Sequence, residues 1–365
     1  MKLRLQREEI LPVLAAMANI ADRRPVQAIL SHLLLTCTES SMEILGTDAE
    51  IQLQATLPVA SAEPGQLAIP ARKLYDIVRA IAENSELRID HVGERVTIRA
   101  GNARFTLPTL SAHEYPRMQQ PKVRLQGHCQ GEDFQQALGI AATAMAHNDA
   151  RFFLNGVLLE VQEQQLRLVA TDGHRLALME VPFAHDAEQA SYQGIIPRKA
   201  VTELLRILEA GELVIRLSET ACSFLQGQKE FSCRLIDAKY PDYRRVIPVG
   251  HPFEVHVERG SFKNALQQID VISSDKSPAC TLLFQGEQII LRSRNEEQAE
   301  GEVRIAASFQ GSTTEISFNT RYLLDTQNIF NEEQLQLEIR DSSSSALIRG
   351  REQAYPLYVV MPIRL

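Results

Sequence analysis

The chain has 365 residues, 44% hydrophobic and 23% charged, with a net charge of −8 and no tryptophan. That composition places it among soluble globular proteins, with length for two or three domains and cores built from Leu, Ile, Val and Ala. No uncharged apolar run approaches the ~18 residues of a membrane span, and the charged start MKLRLQREEI lacks the apolar stretch of a signal peptide, so a cytoplasmic protein is expected. Five scattered cysteines, Cys37, Cys129, Cys222, Cys233 and Cys280, include no CxxC pair and read as reduced, mostly buried thiols.

In chain order, a helix is expected over 7–20. Alternating strands follow at Glu43-Ile-Leu45 and Gln52-Leu-Gln-Ala-Thr-Leu57. A second helix carries Leu74, Ile77, Val78 and Ile81 at i, i+3, i+4 and i+7, one apolar stripe. Strands return at Leu87–Asp90, Arg95–Arg99 and Arg104–Leu107. The pattern then restarts: a helix over 131–146, strands, and a helix with Val201, Leu204, Leu205 and Leu208 at the same spacing. A further helix is expected over 259–272. Opposite the two apolar stripes lie Arg72, Lys73 and Arg79, and then Arg198, Lys199 and Arg206, diluted by Asp76, Glu203 and Glu209. One such face is an ordinary solvated surface. Its return in a second copy points to a shared role for the positive charge.

The restart is a repeat. Met42-Glu-Ile-Leu-Gly-Thr-Asp48 returns as Leu166-Arg-Leu-Val-Ala-Thr-Asp172, Ile69-Pro-Ala-Arg-Lys73 as Ile196-Pro-Arg-Lys199, and Glu114-Tyr-Pro116 as Lys239-Tyr-Pro241. Measured at their last residues, these lie 124, 126 and 125 positions downstream. A fainter third copy shows in Gln288-Ile-Ile-Leu-Arg-Ser293, Phe318-Asn-Thr-Arg-Tyr-Leu-Leu324 and Tyr358-Val-Val-Met-Pro362. Three units are expected, 1–124, 125–252 and 253–365, with Pro121 and Pro252 near the joints.

Four strings, Arg151-Phe-Phe-Leu-Asn-Gly156, Thr171-Asp-Gly-His-Arg-Leu-Ala177, Tyr240-Pro-Asp-Tyr-Arg-Arg-Val246 and Tyr358-Val-Val-Met-Pro-Ile-Arg-Leu365, resemble in order and spacing the bacterial DNA polymerase III beta subunit family, the beta sliding clamps. The resemblance covers the whole chain. It implies an α+β DNA clamp fold: three repeated clamp domains, each with two helices packed on antiparallel sheet. It also implies a head-to-tail homodimer closed into a six-domain ring, which would remove exposed sheet edges.

The implied function is that of a processivity factor which encircles double-stranded DNA without reading sequence. It is opened by a separate clamp loader and tethers DNA polymerases and repair proteins through short linear peptides. No membrane partner and no cofactor are implied. DNA-facing residues would be Arg24, Arg72, Lys73, Arg79, Asn148, Phe152, Phe153, Arg198, Lys199, Arg206 and Lys276, touching phosphate rather than base edges. Phe152 and Phe153 read equally as core.

The peptide pocket would comprise Arg151, Leu154, Thr171, Gly173, His174, Arg175, Leu176, Pro241, Arg245, Val246, Val359 and Met361, with Tyr322 and Ser345 at the margin. Leu176, Val246 and Val359 taken singly also read as core. The dimer seam would set Phe105 and Leu107 against Val271 and Ile272, with Lys73, Arg95 and Arg104 facing Glu297, Glu300 and Glu302. Phe105 and Leu107 could instead turn into their own domain. Two local departures stand out. Thr326 and Gln327 replace leucines of the sister helices, so that helix is expected to pack less well, and Ser342–Ser345 gives the pocket a polar margin.

An enzyme is disfavoured. Asp172, His174 and His128 could in principle ligate a metal or act as an acid–base pair, but Asp-x-His is a common spacing. The chain has no Gly-Lys pair for a phosphate-binding loop and no Gly-x-Ser-x-Gly elbow. A repeat scaffold that binds only proteins is the remaining alternative, and it predicts no retention on circular DNA.

Overall fold

Two hydrophobic periods alternate along the chain, and the backbone follows them. Period-two stretches pair into antiparallel sheets, and period-3.6 stretches form helices that bury one stripe. The structure is a computed structural model describing residues 1–21, 26–59, 61–119, 121–187, 191–273, 278–351 and 354–364. Two compact units divide the chain: Met1–Gln135 with Phe183–Glu188 and Lys199–Ile236, and Gln136–Pro182 with Gln189–Arg198 and Asp237–Leu365. Each unit therefore joins one outer repeat to part of the central one.

The first unit holds two sheets. One has the order β5 (Ser61–Glu63), β1 (Lys2–Gln6), β7 (Glu86–Val92), β8 (Arg95–Ala100), β9 (Ala103–Pro108). The other runs β10 (Leu125–Gln130), β15 (Glu212–Leu217), β16 (Ala221–Gln226), β17 (Lys229–Arg234), β4 (Ile51–Pro58), β3 (Ser41–Thr47), β2 (His32–Cys37), β6 (Gly65–Pro70). The β17–β4 pair, in register Cys233 to Ile51 and Phe231 to Leu53, carries this sheet from the central repeat into the first.

Helix α1 (Arg7–Ile20) starts on a reciprocal capping box between Gln6 and Glu9. It buries Ile10, Leu14 and Met17 against α2 (Ala71–Ala80) and the strands β3 and β4. The expected stripe on α2 is buried at Leu74, Val78 and Ile81, and Ile77 is half-buried.

The second unit holds one long sheet: β14 (Ser191–Pro197), β11 (Gly156–Gln162), β12 (Gln165–Thr171), β13 (Arg175–Pro182), β25 (Leu357–Val360), β24 (Ala346–Gly350), β23 (Gln334–Ile339), β18 (Phe253–Glu258), β21 (Glu300–Phe309), β20 (Gln288–Arg294), β19 (Ala279–Gln285), β22 (Thr314–Asn319). Here the β13–β25 pair, with Leu176 opposite Val359, joins the central repeat to the third.

Helix α5 (Arg259–Asp270), capped by the Glu258 carboxylate, packs on α6 (Thr320–Ile329), capped by Asn319, and on β20 and β21. The central repeat contributes α3 (Gly131–Thr143) and α4 (Arg198–Ile207).

Two helices end earlier than their sequence pattern suggests. After Thr143 the backbone tightens into i→i−3 bonds, Ala144 N to Ala141 O and Met145 N to Ala142 O, and after Asp270 the Ile272 N–H turns to Ile269 O. Of the two polar substitutions on α6, Thr326 is accommodated in the core, whereas the Gln327 side-chain oxygen is buried with no hydrogen-bond partner among the described residues. Thr326 is fully buried because its hydroxyl donates to the Leu323 carbonyl at 2.6 Å, and Leu323, Ile329 and Phe330 close the core around it.

Candidate binding sites

The Thr171–Asp172 turn between β12 and β13 frames an apolar site. Thr171 Oγ1 donates to Arg175 O at 2.6 Å and accepts from Gly173 N, while Asp172 Oδ1 accepts from the backbone N–H groups of His174 and Arg175. Gly173 sits at φ +90°, a backbone state that disfavours side chains. Below the turn, the buried Tyr240 hydroxyl accepts from Thr171 N at 3.0 Å. Above it, Met361 N donates to His174 O at 2.8 Å, which brings the end of β25 alongside.

These elements enclose a cavity of about 260 Å³. Leu154, Leu176 and Val359 are almost wholly buried and still face it; Phe153, Val246 and Met361 form apolar walls, and Arg151 and Arg175 bring the polar groups. A few charged groups around an apolar hollow suit a short amphipathic segment whose apolar side chains lose water while its backbone is oriented.

Both arginines are held. Arg151 pairs with Asp149 at 2.8 Å and donates to Asp172 O at 3.1 Å; its hydrogen bond holds the Asp149 carboxyl down at about 2. Arg175 pairs with Asp172 and Asp325, lies 3.4 Å from the Tyr358 hydroxyl and stacks 4.3 Å above the Tyr322 ring. Burial pushes the Asp325 carboxyl up even with Arg175 beside it.

Of the sequence-derived pocket residues, Arg151, Leu154, Thr171, Gly173, Arg175, Leu176, Pro241, Val246, Val359 and Met361 meet at this cavity. Four others lie off its wall. His174 is exposed, Arg245 is exposed and pairs with Asp242, Tyr322 reaches the site through Arg175, and the Ser345 carbonyl accepts from His251 Nε2. The structure adds Phe153, Asp242 and Tyr243. Phe153 is thus a pocket residue rather than a side chain facing outward with Phe152, which is 56% exposed.

The basic helix faces are exposed but not bare. Arg72 and Arg79 flank Asp76 and the Tyr75 ring. Lys199 pairs with Asp48, and Arg206 with Glu203. Arg198 turns inward and donates to the carbonyls of Met145 and Ala146, which makes it a structural contact. Lys73 is exposed, as is Asn148, which stands at φ +56°. Arg24 and Lys276 lie outside the described residues.

At the proposed seam, β9 pairs only with β8 among the described strands. Phe105 and Leu107 extend the buried Ile98 and Val96 row to the edge and are half-buried there; Arg95 and Arg104 are exposed. In the other unit Val271 is 82% exposed, and Ile272 packs near Gly301. Glu297, Glu300 and Glu302 are exposed, with Glu300 beside Arg294 and Glu302 between Arg292 and Arg304.

Among the described residues no three His, Cys, Asp or Glu side chains are placed to hold a metal, and no helix is long and apolar enough to cross a membrane. Asp172 is committed to its turn and to Arg175, and His128 lies on β10, bonded through its backbone to Ala184. All five cysteines are buried and free.

Models of the N-terminal, central and C-terminal domains of the DNA polymerase III beta subunit match residues 1–119, 129–242 and 244–364. The chain belongs to the DNA polymerase III beta subunit family. It is 35% identical to the beta sliding clamp of Pseudomonas putida, over 99% of both chains. Among solved structures it resembles the DNA polymerase III subunit beta of Pseudomonas aeruginosa at TM-score 0.96 and 35% identity, with both chains fully covered. A second structure of that organism's sliding clamp, bound to griselimycin, matches at TM-score 0.97 and 34% identity over both full chains. The three-domain clamp fold, with helices on antiparallel sheet, is therefore that of the beta sliding clamps.

Proposed function

We propose that the protein is a DNA sliding clamp and not an enzyme: two copies close head to tail into a ring around duplex DNA and tether polymerases and repair proteins to it. The observation that carries this reading is the likeness to a beta clamp structure along the whole of both chains, at 35% identity. The clamp domains would span 1–124, 125–252 and 253–365.

Local geometry supports parts of the reading. The β9 edge of one protomer would add to the β21 edge of its partner, where residues 300–305 pair only with β20 among the described strands. Phe105 and Leu107 would cover Val271 and Ile272, and Arg95, Arg104 and Lys73 would face the acidic side chains at 297, 300 and 302. Arg24, Arg72, Lys73, Arg79, Lys199, Arg206 and Lys276 would offer phosphate contacts without base reading, which a sliding protein requires. Ion pairs with Asp76, Glu203 and Asp48 keep those contacts weak and easily exchanged. The cavity at Leu176 and Met361 would take the apolar tail of a partner peptide, and griselimycin would occupy the same cavity. The energy to open the ring comes from a separate loader, and the working compartment is the cytoplasm, where a bacterial chromosome is copied.

Loading onto nicked circular plasmid with a clamp loader and ATP, followed by removal of free protein, tests the reading. Retention on the circle at moderate salt, with loss after the plasmid is linearised, is expected. Equal loss from circle and line, with an active loader, contradicts it and favours a protein-only scaffold.

A further inference from the structure

The string Tyr240–Val246 supplies Pro241, Tyr243 and Val246 to the pocket, while the Tyr243 hydroxyl and the Arg244 guanidinium reach a polar seat on the sheet. Across four neighbouring strands the register sets Gln193 opposite Glu160, Glu160 opposite Arg167, and Arg167 opposite Glu180. Arg167 ion-pairs with Glu180 and lies 3.7 Å from Glu160. A transverse ladder of opposite charges on one sheet face is a favourable cross-strand arrangement.

The 3-10 turn Tyr243–Val246 sits on this ladder. The Tyr243 hydroxyl donates to Glu160 Oε2 at 2.7 Å, Arg244 Nη2 donates to the same oxygen at 2.6 Å, and Gln193 Nε2 donates to Glu160 Oε1 at 2.6 Å. The Arg244 guanidinium also lies 4.7 Å over the Tyr243 ring. Glu160 is only 4% exposed, and a buried carboxylate is tolerated only when its oxygens are this fully engaged. Burial works to raise its pKa, yet the hydrogen bonds from Tyr243, Arg244 and Gln193 prevail and hold the group below its ordinary value.

We infer that Glu160 is a positioning residue for the pocket: it fixes the turn whose Tyr243 and Val246 form one wall, and so sets affinity for the apolar part of a docked ligand. Glu160 touches no pocket volume itself. Its effect passes through Tyr243 and Arg244, which separates it from Glu180 at the far end of the ladder. The inference rests on the cavity being the docking site proposed above.

Calorimetric titration of the full-length protein with griselimycin tests it. Glu160→Gln places an amide where Tyr243, Arg244 and Gln193 all donate, and binding is expected to weaken about tenfold. Glu180→Gln is expected to lower the thermal midpoint while leaving griselimycin affinity unchanged, because its partners among the described residues, Arg167 and Tyr355, lie outside the turn. In a Tyr243→Phe/Arg244→Met background, Glu160→Gln is expected to cause no further weakening. Unchanged affinity in folded Glu160→Gln, or the same loss in both backgrounds, overturns the inference and leaves the pocket reading intact. Failure of the folded wild-type protein to bind overturns both.

Discussion

The chain makes the Thr-Asp turn twice with nearly the same bonds and sets the two copies in different surroundings. In the first repeat Thr47 Oγ1 donates to Ile51 O, and Asp48 Oδ1 accepts from the backbone of Glu50 and Ile51. In the central repeat Thr171 and Asp172 do the same for Arg175 and His174. Each turn rests on the tyrosine of a Tyr-Pro pair: Tyr115 beneath Leu45 and Tyr240 beneath Thr171.

The surroundings differ. At the first turn the position with positive φ is Ala49, and Asp48 is closed off by Lys199. The 3-10 turn before β2 buries Ile29 in a cluster with Leu34, Leu45, Ala68 and Tyr115. The hollow alongside β17 is polar, edged by Arg117, Thr220 and Arg234. At the second turn Gly173 leaves the backbone bare, and the 3-10 turn before β11 gives Phe153 and Leu154 to the cavity. By strand register Met361 stands where Arg234 stands in the first. One scaffold thus makes a polar hollow at one joint and an apolar pocket at the other through a handful of side chains.

The sharpest way to break the contrast is to write the first joint into the second. Met361→Arg places a guanidinium against Leu176 and Val246 with no acidic partner on the cavity wall except Asp242. Desolvating it there is expected to weaken griselimycin binding about a hundredfold, with little change in the thermal midpoint; calorimetry with a melting curve decides.

Exchanging the residues at positive φ has the next largest effect. Gly173→Ala forces a Cβ into a left-handed backbone and to 3.0 Å from the Arg151 guanidinium, and is expected to destabilise by about 1–2 kcal/mol. Ala49→Gly relieves the matching strain at φ +76° and is expected to change stability by less, in the favourable direction. Urea unfolding of both variants measures the pair.

The pH response sharpens the comparison further. Glu160, at the second joint, has a folded-state pKa below its ordinary 4.5. Its contribution is therefore complete above pH ~4.5 and is lost as pH falls through the folded value. The stability advantage of wild type over Glu160→Gln should shrink from pH 7 towards pH 3.

Glu203, in the unit of the first joint, has the opposite sign. Burial outweighs Arg206 and Lys199 and raises its pKa. Its ionised form weakens the fold above that raised value and the penalty vanishes below pH ~4.5. Glu203→Gln should give a small rise in thermal midpoint at pH 7 and none at pH 4, the smallest effect of the set.

Much of this is legible in the sequence because the turn, the linker and the helix start return at nearly one offset. Two helix stripes and the strands at 43–45, 52–57 and 87–107 follow from periodicity alone. Most of the pocket follows from the resemblance rather than from spacing, since Leu176 and Val359 carry no local sign that they face a cavity.

What the sequence conceals is direction. In a 3-10 turn successive side chains point about 120° apart, so Phe152 and Phe153, alike in sequence, separate into a solvent-facing ring and a pocket wall. Tyr243 is hidden for a different reason. The repeat draws attention to Tyr240, while Tyr243 gains its meaning from Glu160, 83 positions upstream on β11. The inward turn of Arg198 likewise depends on carbonyls freed where α3 ends, not on its own neighbours.

The most direct test of the contrast between the two turns is hydrogen–deuterium exchange of the full-length protein with and without griselimycin. Protection confined to residues 171–176, 241–246 and 359–361, with 47–52 and 116–119 unchanged, is the expected result. Protection at the first turn, or none at the second in protein that binds the compound, would contradict the assignment of the apolar joint as the docking site.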